Sequence, residues 1–156
     1  MNYRKLFFTI MSFLILSFVS ISFADNLSPV GTWKQFSDKT GQLQSIIKIW
    51  NDNGKLNGKV MQSFAMNGIP PRQMCSNCPG QFQNKKIIGM TLLWGFSQTD
   101  EDSWDNGKIL DPDSGKIYSC NMQLLNNGQA LKVRGYIGIS LLGRSQIWER
   151  TNSQPL

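Results

Sequence analysis

The chain has 156 residues, of which 40% are hydrophobic and 17% are charged, and its 16 Lys and Arg residues outnumber 10 Asp and Glu residues to give a net charge of +6. This composition is typical of one globular domain and excludes a disordered, collagen-like or coiled-coil chain. The absence of His excludes Ser-His-Asp and Cys-His catalysis, HExxH zinc sites and c-type haem attachment.

The first 24 residues have the pattern of a secretory signal peptide. Arg4 and Lys5 precede an apolar run over residues 6–21, and Ser22-Phe-Ala24 supplies small residues at a cleavage site. We therefore predict cleavage after residue 24 and a periplasmic or secreted protein that comprises residues 25–156. A retained membrane anchor is the alternative, because the apolar run is about as long as a short transmembrane helix.

The basic residues are too scattered to indicate a nucleic-acid partner. Cleavage would remove Arg4 and Lys5 and leave 14 of the 16 basic residues against 10 acidic ones, a net charge of +4. Only Lys85 and Lys86 are adjacent in the remaining chain, so no basic stripe is formed. We predict no nucleic-acid partner and no transmembrane anchor after cleavage.

Residues 25–156 are predicted to form one domain of β-strands, because side chains alternate with a period of two. Lys55, Asn57 and Lys59 share one face of a segment, and Leu56 and Val60 share the other. No stretch has a long period of 3.6 residues. The predicted strands are near residues 31–37, 43–50, 55–64, 87–96, 104–110, 116–125, 130–138 and 142–150.

Turn-forming residues separate these strands at short intervals. The turn signals are Asp38-Lys-Thr-Gly41, Asn51-Asp-Asn-Gly54, Asp105-Asn-Gly107, Asp111-Pro-Asp-Ser-Gly115 and Asn126-Asn-Gly128. Strands joined in this order favour an all-β fold, an antiparallel up-and-down barrel of about eight strands, because closure removes exposed sheet edges. A two-sheet sandwich is the alternative.

The C-terminal third resembles the bacterial family known as domain of unknown function 2147. The resemblance rests on Gly107-Lys-Ile-Leu-Asp-Pro-Asp-Ser-Gly-Lys-Ile-Tyr118, on residues 131–138 and on residues 142–150. Gly31-Thr-Trp33 and Cys75-Ser-Asn-Cys78 also fall where that family has its pattern. The resemblance implies an exported bacterial protein without an established activity.

A Gly-x-Trp pattern in the first strand and an Arg on the last are more loosely similar to the lipocalin and avidin group of ligand-binding barrels. In that group the Arg packs across the Trp and closes one end of the barrel. Trp33 and Arg150 are the matching residues here, and Arg144 is the other candidate for the Arg. The resemblance implies a stabilising role for this pair, since a cation over an indole contributes roughly 0.5–2 kcal/mol.

Three cysteines in an oxidising compartment favour one disulfide and one spare thiol. A bridge from Cys75 or Cys78 to Cys120 would close the longer loop and is favoured by chain entropy. Cys120, however, alternates with apolar residues on a strand face, as a buried Cys does. We predict a Cys75–Cys78 disulfide, with a bridge to Cys120 as the alternative, in a long loop near residues 66–86 that serves as a lid or a plug for one barrel mouth.

No residues are predicted to be catalytic, and no cofactor or metal site is predicted. Asp111-Pro-Asp-Ser-Gly115 suits a turn better than an acidic pair, and Asp100, Glu101, Asp102 and Asp105 lack the spacing of a calcium loop. The sequence therefore gives no reason to predict an enzyme.

Candidate ligand-binding residues lie on the last strands. Arg144, Gln146 and Trp148 share a strand face, and if it points inward, Arg144 with Tyr118 and Gln146 would hold a carboxylate or phosphate group. We predict a barrel that binds a small amphipathic or hydrophobic ligand. The alternative is an envelope or protein-interaction module without a pocket, in which some of Trp50, Trp94 and Trp104 are exposed.

Overall fold

The computed structural model describes residues 28–152, which form a closed antiparallel barrel. Its strands are β1 (Gly31–Phe36), β2 (Leu43–Asp52), β3 (Lys55–Ser63), β4 (Thr91–Asp100), β5 (Ser103–Asp111), β6 (Lys116–Leu125), β7 (Ala130–Tyr136) and β8 (Arg144–Thr151). Each strand pairs with the next, and β8 pairs with β1 through Trp33 and Arg150. The predicted up-and-down barrel is confirmed, and the two-sheet sandwich is wrong.

The two ends of the barrel differ in their connections. Tight turns at residues 53–54, 101–102 and 126–129 join the strands at one end, which we call the closed end. Longer loops at residues 37–42, 64–90 and 137–143, with the turn at 112–115, surround the other end, which we call the mouth. Because β1 starts and β8 stops at the closed end, the chain enters and leaves the described region there.

Asn residues make the short closed-end turns possible. Asn53 precedes Gly54 with φ of 51°, and Asn126 and Asn127 have φ of 50° and 51°. Asn tolerates this left-handed region better than most residues, so the Asn-Gly signals in the sequence correctly marked these hairpins.

The signal Asp105-Asn-Gly107 marks a bulge inside β5 instead of a turn. Asn106 has φ of 63°, and the register with β6 shifts between Trp104 and Gly107. A bulge adds one residue to one strand and reverses the phase of alternation. Trp104 is therefore buried in the barrel, and its prediction as a candidate exposed Trp is wrong.

The closed half of the barrel is filled with large side chains. The buried residues there include Trp33, Ile49, Leu56, Phe96, Trp104, Leu131 and Trp148. Gly107 makes room for this packing, because a Cβ at its position would lie 2.3 Å from the Phe96 ring. The large aromatic part of the core thus occupies the closed half.

The predicted signal peptide at residues 1–24 lies outside the described residues. Within residues 28–152, the structure contains no helix with the length and hydropathy needed to span a membrane.

Candidate functional site

The closed end is sealed by Arg150, which lies across Trp33. The guanidinium carbon is 4.3 Å from the centroid of the indole ring. Arg150 also donates hydrogen bonds to the backbone oxygens of Gly128 at 2.6 Å, Val30 at 3.0 Å and Ser28 at 2.6 Å. Burial lowers the pKa of Arg150 below its usual range, because desolvation disfavours the charged form.

Gly31 explains the first position of the Gly-x-Trp pattern. It has φ of 139°, and a Cβ there would lie 2.7 Å from Nη1 of Arg150. Any other residue would therefore be strained and would push the guanidinium off the Trp33 ring. Trp33 in turn donates its Nε1–H to the Pro29 oxygen at 2.8 Å. The Trp33 indole therefore contacts both the segment before β1 and the guanidinium of Arg150.

The mouth half encloses a cavity of about 1020 Å³. This volume is at the upper end of the range for small-molecule sites. Part of the wall is aliphatic and comes from the strands and the long loop: Val60, Ile87, Leu92, Ile109, Leu110 and Val133. The cavity can therefore accommodate an apolar group of considerable size.

A chain of hydrogen bonds crosses one wall of the cavity. The Ser45 hydroxyl donates to Oε1 of Gln35, and Nε2 of Gln35 donates to Oε1 of Gln146 at 3.1 Å. The buried Trp148 donates its Nε1–H to the same oxygen at 3.2 Å. The bonds within residues 28–152 use one N–H of each Gln amide, so each amide has a second N–H for a ligand.

An ion pair continues this polar wall toward the mouth. Nε2 of Gln146 donates to Oδ2 of Asp38 at 3.1 Å, and Arg144 forms a salt bridge with the same carboxylate. The two charges compensate each other, so the polar wall is close to neutral. Tyr118 also lines the cavity and supplies a phenol group that can donate or accept.

Three of the four candidate binding residues meet at this cavity. Tyr118, Arg144 and Gln146 line it, whereas Trp148 lies in the packed half and supports Gln146 from below. Sequence reasoning missed Gln35, Ser45 and Asp38. Alternation could have found Gln35, which stands two residues after Trp33 and so faces the barrel interior.

The long loop contains the Cys75–Cys78 disulfide, which confirms that predicted pairing. Both cysteines are buried, and Sγ of Cys75 contacts the Pro112 oxygen of the β5–β6 turn at 3.9 Å. Phe82, in a short 3₁₀ turn, stacks on Trp94 with 5.4 Å between ring centroids. The disulfide portion is thus packed against the barrel, while residues from Phe64 to Arg72 border the cavity.

Cys120 and Asp102 are two further titratable groups with shifted pKa values. Cys120 is a free, buried thiol, and burial raises its pKa to about 12. The Asp102 carboxylate accepts hydrogen bonds from Ser103 at 2.7 Å and Gln123 at 3.3 Å, which lower its pKa. Within residues 28–152, no three His, Cys, Asp or Glu side chains converge as metal ligands would.

Two Trp residues remain partly accessible on the outside of the barrel. Lys59 lies over Trp50 at 5.9 Å from the ring centroid, and Trp94 is partly covered by Phe82. Each ring already has a neighbour from its own chain. Trp50 and Trp94 are thus half-exposed, as the alternative expected of some of the three Trp residues.

An eight-stranded up-and-down barrel with an Arg-covered Trp at one end and a cavity at the other is a lipocalin-like barrel. A Helicobacter pylori protein described as belonging to the lipocalin family shares this fold, with a TM-score of 0.68 and 18% identity over 81% of this chain and 84% of that one. A redesigned beta barrel matches at a TM-score of 0.45 and 16% identity over 79% and 91% of the two chains. No curated protein matches the chain.

The chain belongs to the DUF2147 family, an uncharacterized protein conserved in bacteria, whose profile matches residues 31–150. The predicted family resemblance is thereby confirmed, and the family description names no activity.

Proposed function

We propose that this protein is an exported, non-catalytic carrier that binds a small amphipathic molecule in the mouth half of its barrel. The cavity of about 1020 Å³ is the observation that carries the proposal. Lipocalin-like barrels keep such a space only when the strands do not fill it with side chains. Here large aromatic residues fill the closed half and leave the other half open.

The lining of the cavity defines the class of ligand. Aliphatic side chains such as Val60, Leu92 and Val133 would pack against a hydrocarbon or ring portion. The second N–H groups of Gln35 and Gln146 would donate hydrogen bonds to an oxygen atom of the ligand. Tyr118 and Arg144 lie on the same lining. A ligand with one apolar body and one oxygen-bearing polar group satisfies both parts of the wall.

Gly135 provides a direct test of the cavity. It lines the cavity, and a Cβ there would make ordinary contacts, 3.5 Å from Ile109 and 3.6 Å from Tyr118. Gly135→Phe would therefore place a ring in the cavity without straining the backbone. We expect binding of a fluorescent apolar probe such as N-phenyl-1-naphthylamine to weaken at least tenfold, which corresponds to about 1.4 kcal/mol.

The matched control introduces Phe on the outer surface of the barrel. Ile147 is exposed on β8, so Ile147→Phe should bind the probe like the wild-type protein. Equal probe affinity in the wild-type protein and in Gly135→Phe would refute binding in the cavity.

A further inference from the structure

The loop between β7 and β8 presents aliphatic side chains to solvent at the mouth. The exposed fractions are 65% for Ile137, 61% for Ile139, 82% for Leu141 and 77% for Leu142. Across the mouth, Ile69 of the long loop is 71% exposed. Ile69, Ile137 and Leu142 also line the cavity, so both loops border one entrance. Apolar residues clustered in this way mark an interaction surface more often than an ordinary exterior.

Three carbonyl groups of this loop are paired within the chain. Nε of Arg134 donates to the Ser140 oxygen at 2.8 Å, and Nη2 donates to the Leu141 oxygen at 3.1 Å. The Leu142 amide donates to the Ile139 oxygen at 3.2 Å in a single 3₁₀ turn. Three consecutive carbonyl groups at the tip therefore need no water.

The exposed aliphatic side chains and the paired carbonyl groups together favour a lipid bilayer as the partner that covers this loop. A protein partner commonly pairs with exposed backbone groups, whereas hydrocarbon requires that such groups be paired beforehand. Arg134 places its charged group below the tip, where it would reach lipid phosphates while the leucines enter the acyl region. After the predicted cleavage, 14 of the 16 basic residues remain against 10 acidic ones, and this excess adds attraction to an anionic surface.

The positions of the chain ends and of the cavity agree with a lipid bilayer at the mouth of the barrel. Both ends of the described region leave from the closed end, so neither lies beside the apolar loop. The apolar tips are continuous with the cavity wall through Leu142 and Ile137. A molecule dissolved in the bilayer could pass between the tips into the cavity without crossing water.

We propose that the mouth of the barrel docks on an anionic phospholipid bilayer by inserting the tip formed by Ile137, Ile139, Leu141 and Leu142. Docking goes beyond ligand binding and does not depend on it. Gly135→Phe, with its cavity filled, should therefore bind vesicles like the wild-type protein, so the failure of one proposal is distinguishable from the failure of the other.

The test is co-sedimentation with vesicles of phosphatidylethanolamine and phosphatidylglycerol. Each buried methylene changes partitioning about fourfold, so we expect Leu141→Ala/Leu142→Ala to lower the partition coefficient at least tenfold. The matched control is Val30→Ala/Ile147→Ala, which trims exposed aliphatic residues away from the mouth and should change it by less than about twofold. All variants should keep the wild-type melting temperature, since the altered side chains are exposed.

A second measurement reports insertion at the tip itself. A polarity-sensitive nitrobenzoxadiazole label on Leu141→Cys should shift to shorter emission wavelength with vesicles, and the same label on Ile147→Cys should not. Absence of vesicle binding by the wild-type protein would overturn the proposal, as would equal binding by the leucine variant. A wild-type dimer in sedimentation velocity that the leucine variant converts to a monomer would also overturn it, in favour of a second copy covering the tip.

Discussion

Arg150 combines more interactions than any other charged side chain described above. Its guanidinium lies on Trp33 and holds together two backbone segments, residues 28–30 and Gly128. A lysine could keep the charge but not the fork of donors that reaches all three oxygens. The planar guanidinium thus accounts for an Arg on the last strand opposite a Trp on the first.

Replacement of Arg150 is expected to destabilise the barrel. Arg150→Ala removes the ring contact and leaves backbone oxygens without their donor, so we expect a loss of about 2–3 kcal/mol in the free energy of unfolding. Arg150→Lys should lose about half as much. Urea denaturation measures both, with Lys48→Ala on the exposed face of β2 as the control. A loss below about 0.5 kcal/mol for Arg150→Ala would contradict the structural role.

Cys120 makes stability depend on pH in the alkaline range. Burial raises the pKa of the folded thiol from 9.0 to about 12. The unfolded chain therefore releases this proton first, so the contribution is complete below pH 9 and is lost as the pH rises from 9 toward 12. The slope approaches about 1.4 kcal/mol per pH unit.

The comparison with Cys120→Ala isolates this effect from the titration of Lys and Tyr residues. Urea denaturation of both proteins on either side of pH 9 should show a steeper decline for the wild-type protein. Parallel declines would show that Cys120 is not buried as a neutral thiol. A thiol reagent should likewise fail to modify Cys120 in the native protein.

The long loop between β3 and β4 divides into two parts with different packing. In the second part, the Cys75 amide donates to the Lys85 oxygen at 2.9 Å and the Ile87 amide to the Gln73 oxygen at 2.9 Å. The first part, residues 66–72, has the hydrogen-bonded turn between Met66 and Ile69 and an exposed tip. Only this first part is free of the disulfide and of the stacked Phe82.

Hydrogen exchange should distinguish the two parts. We expect amides of Cys75 and Ile87 to exchange as slowly as those of the neighbouring strands, and amides of Gly68 and Arg72 to exchange quickly. Reduction of the disulfide should cost about 2 kcal/mol by chain entropy and accelerate exchange in residues 73–88 without affecting β6 or β7. Uniform protection of the whole loop would make it a fixed plug and exclude a movable lid.

Alternation and turn chemistry were sufficient to predict the strands, their order and the closed barrel. They failed at β5, because the left-handed Asn106 adds a bulge that sequence spacing reads as a turn. They also extended the predicted seventh strand to residue 138, whereas β7 ends at Tyr136 and Ile137 lies in the exposed loop. One inserted residue turns the side chains that follow it to the opposite face of the strand. The direction of side chains was therefore less predictable than the existence of a strand.

The candidate site was predictable only in part. Tyr118, Arg144 and Gln146 were found from the alternation of side chains along the strands, but their common cavity depends on how far the aromatic core extends from the closed end. That extent follows from packing among residues far apart in sequence. The ion pair between Asp38 and Arg144 joins the first connecting loop to the last strand, and no local pattern indicates it.

In the whole molecule, one half of the barrel is packed and stabilises the fold, and the other half contains the cavity. Trp33, Phe96 and Trp148 pack the closed half and hold the strands in register. The mouth half gives up that packing and encloses a lined space instead. The loop between β7 and β8, the polar wall and the long loop all lie at this second end.

Native mass spectrometry tests the central claim most directly, with wild-type protein and Gly135→Phe purified in parallel from the native host. The account predicts that the wild-type protein carries a small amphipathic molecule that organic solvent removes, and that Gly135→Phe carries none. The absence of a bound molecule from both proteins, or the same bound molecule on both, would contradict a ligand held in the mouth half of the barrel.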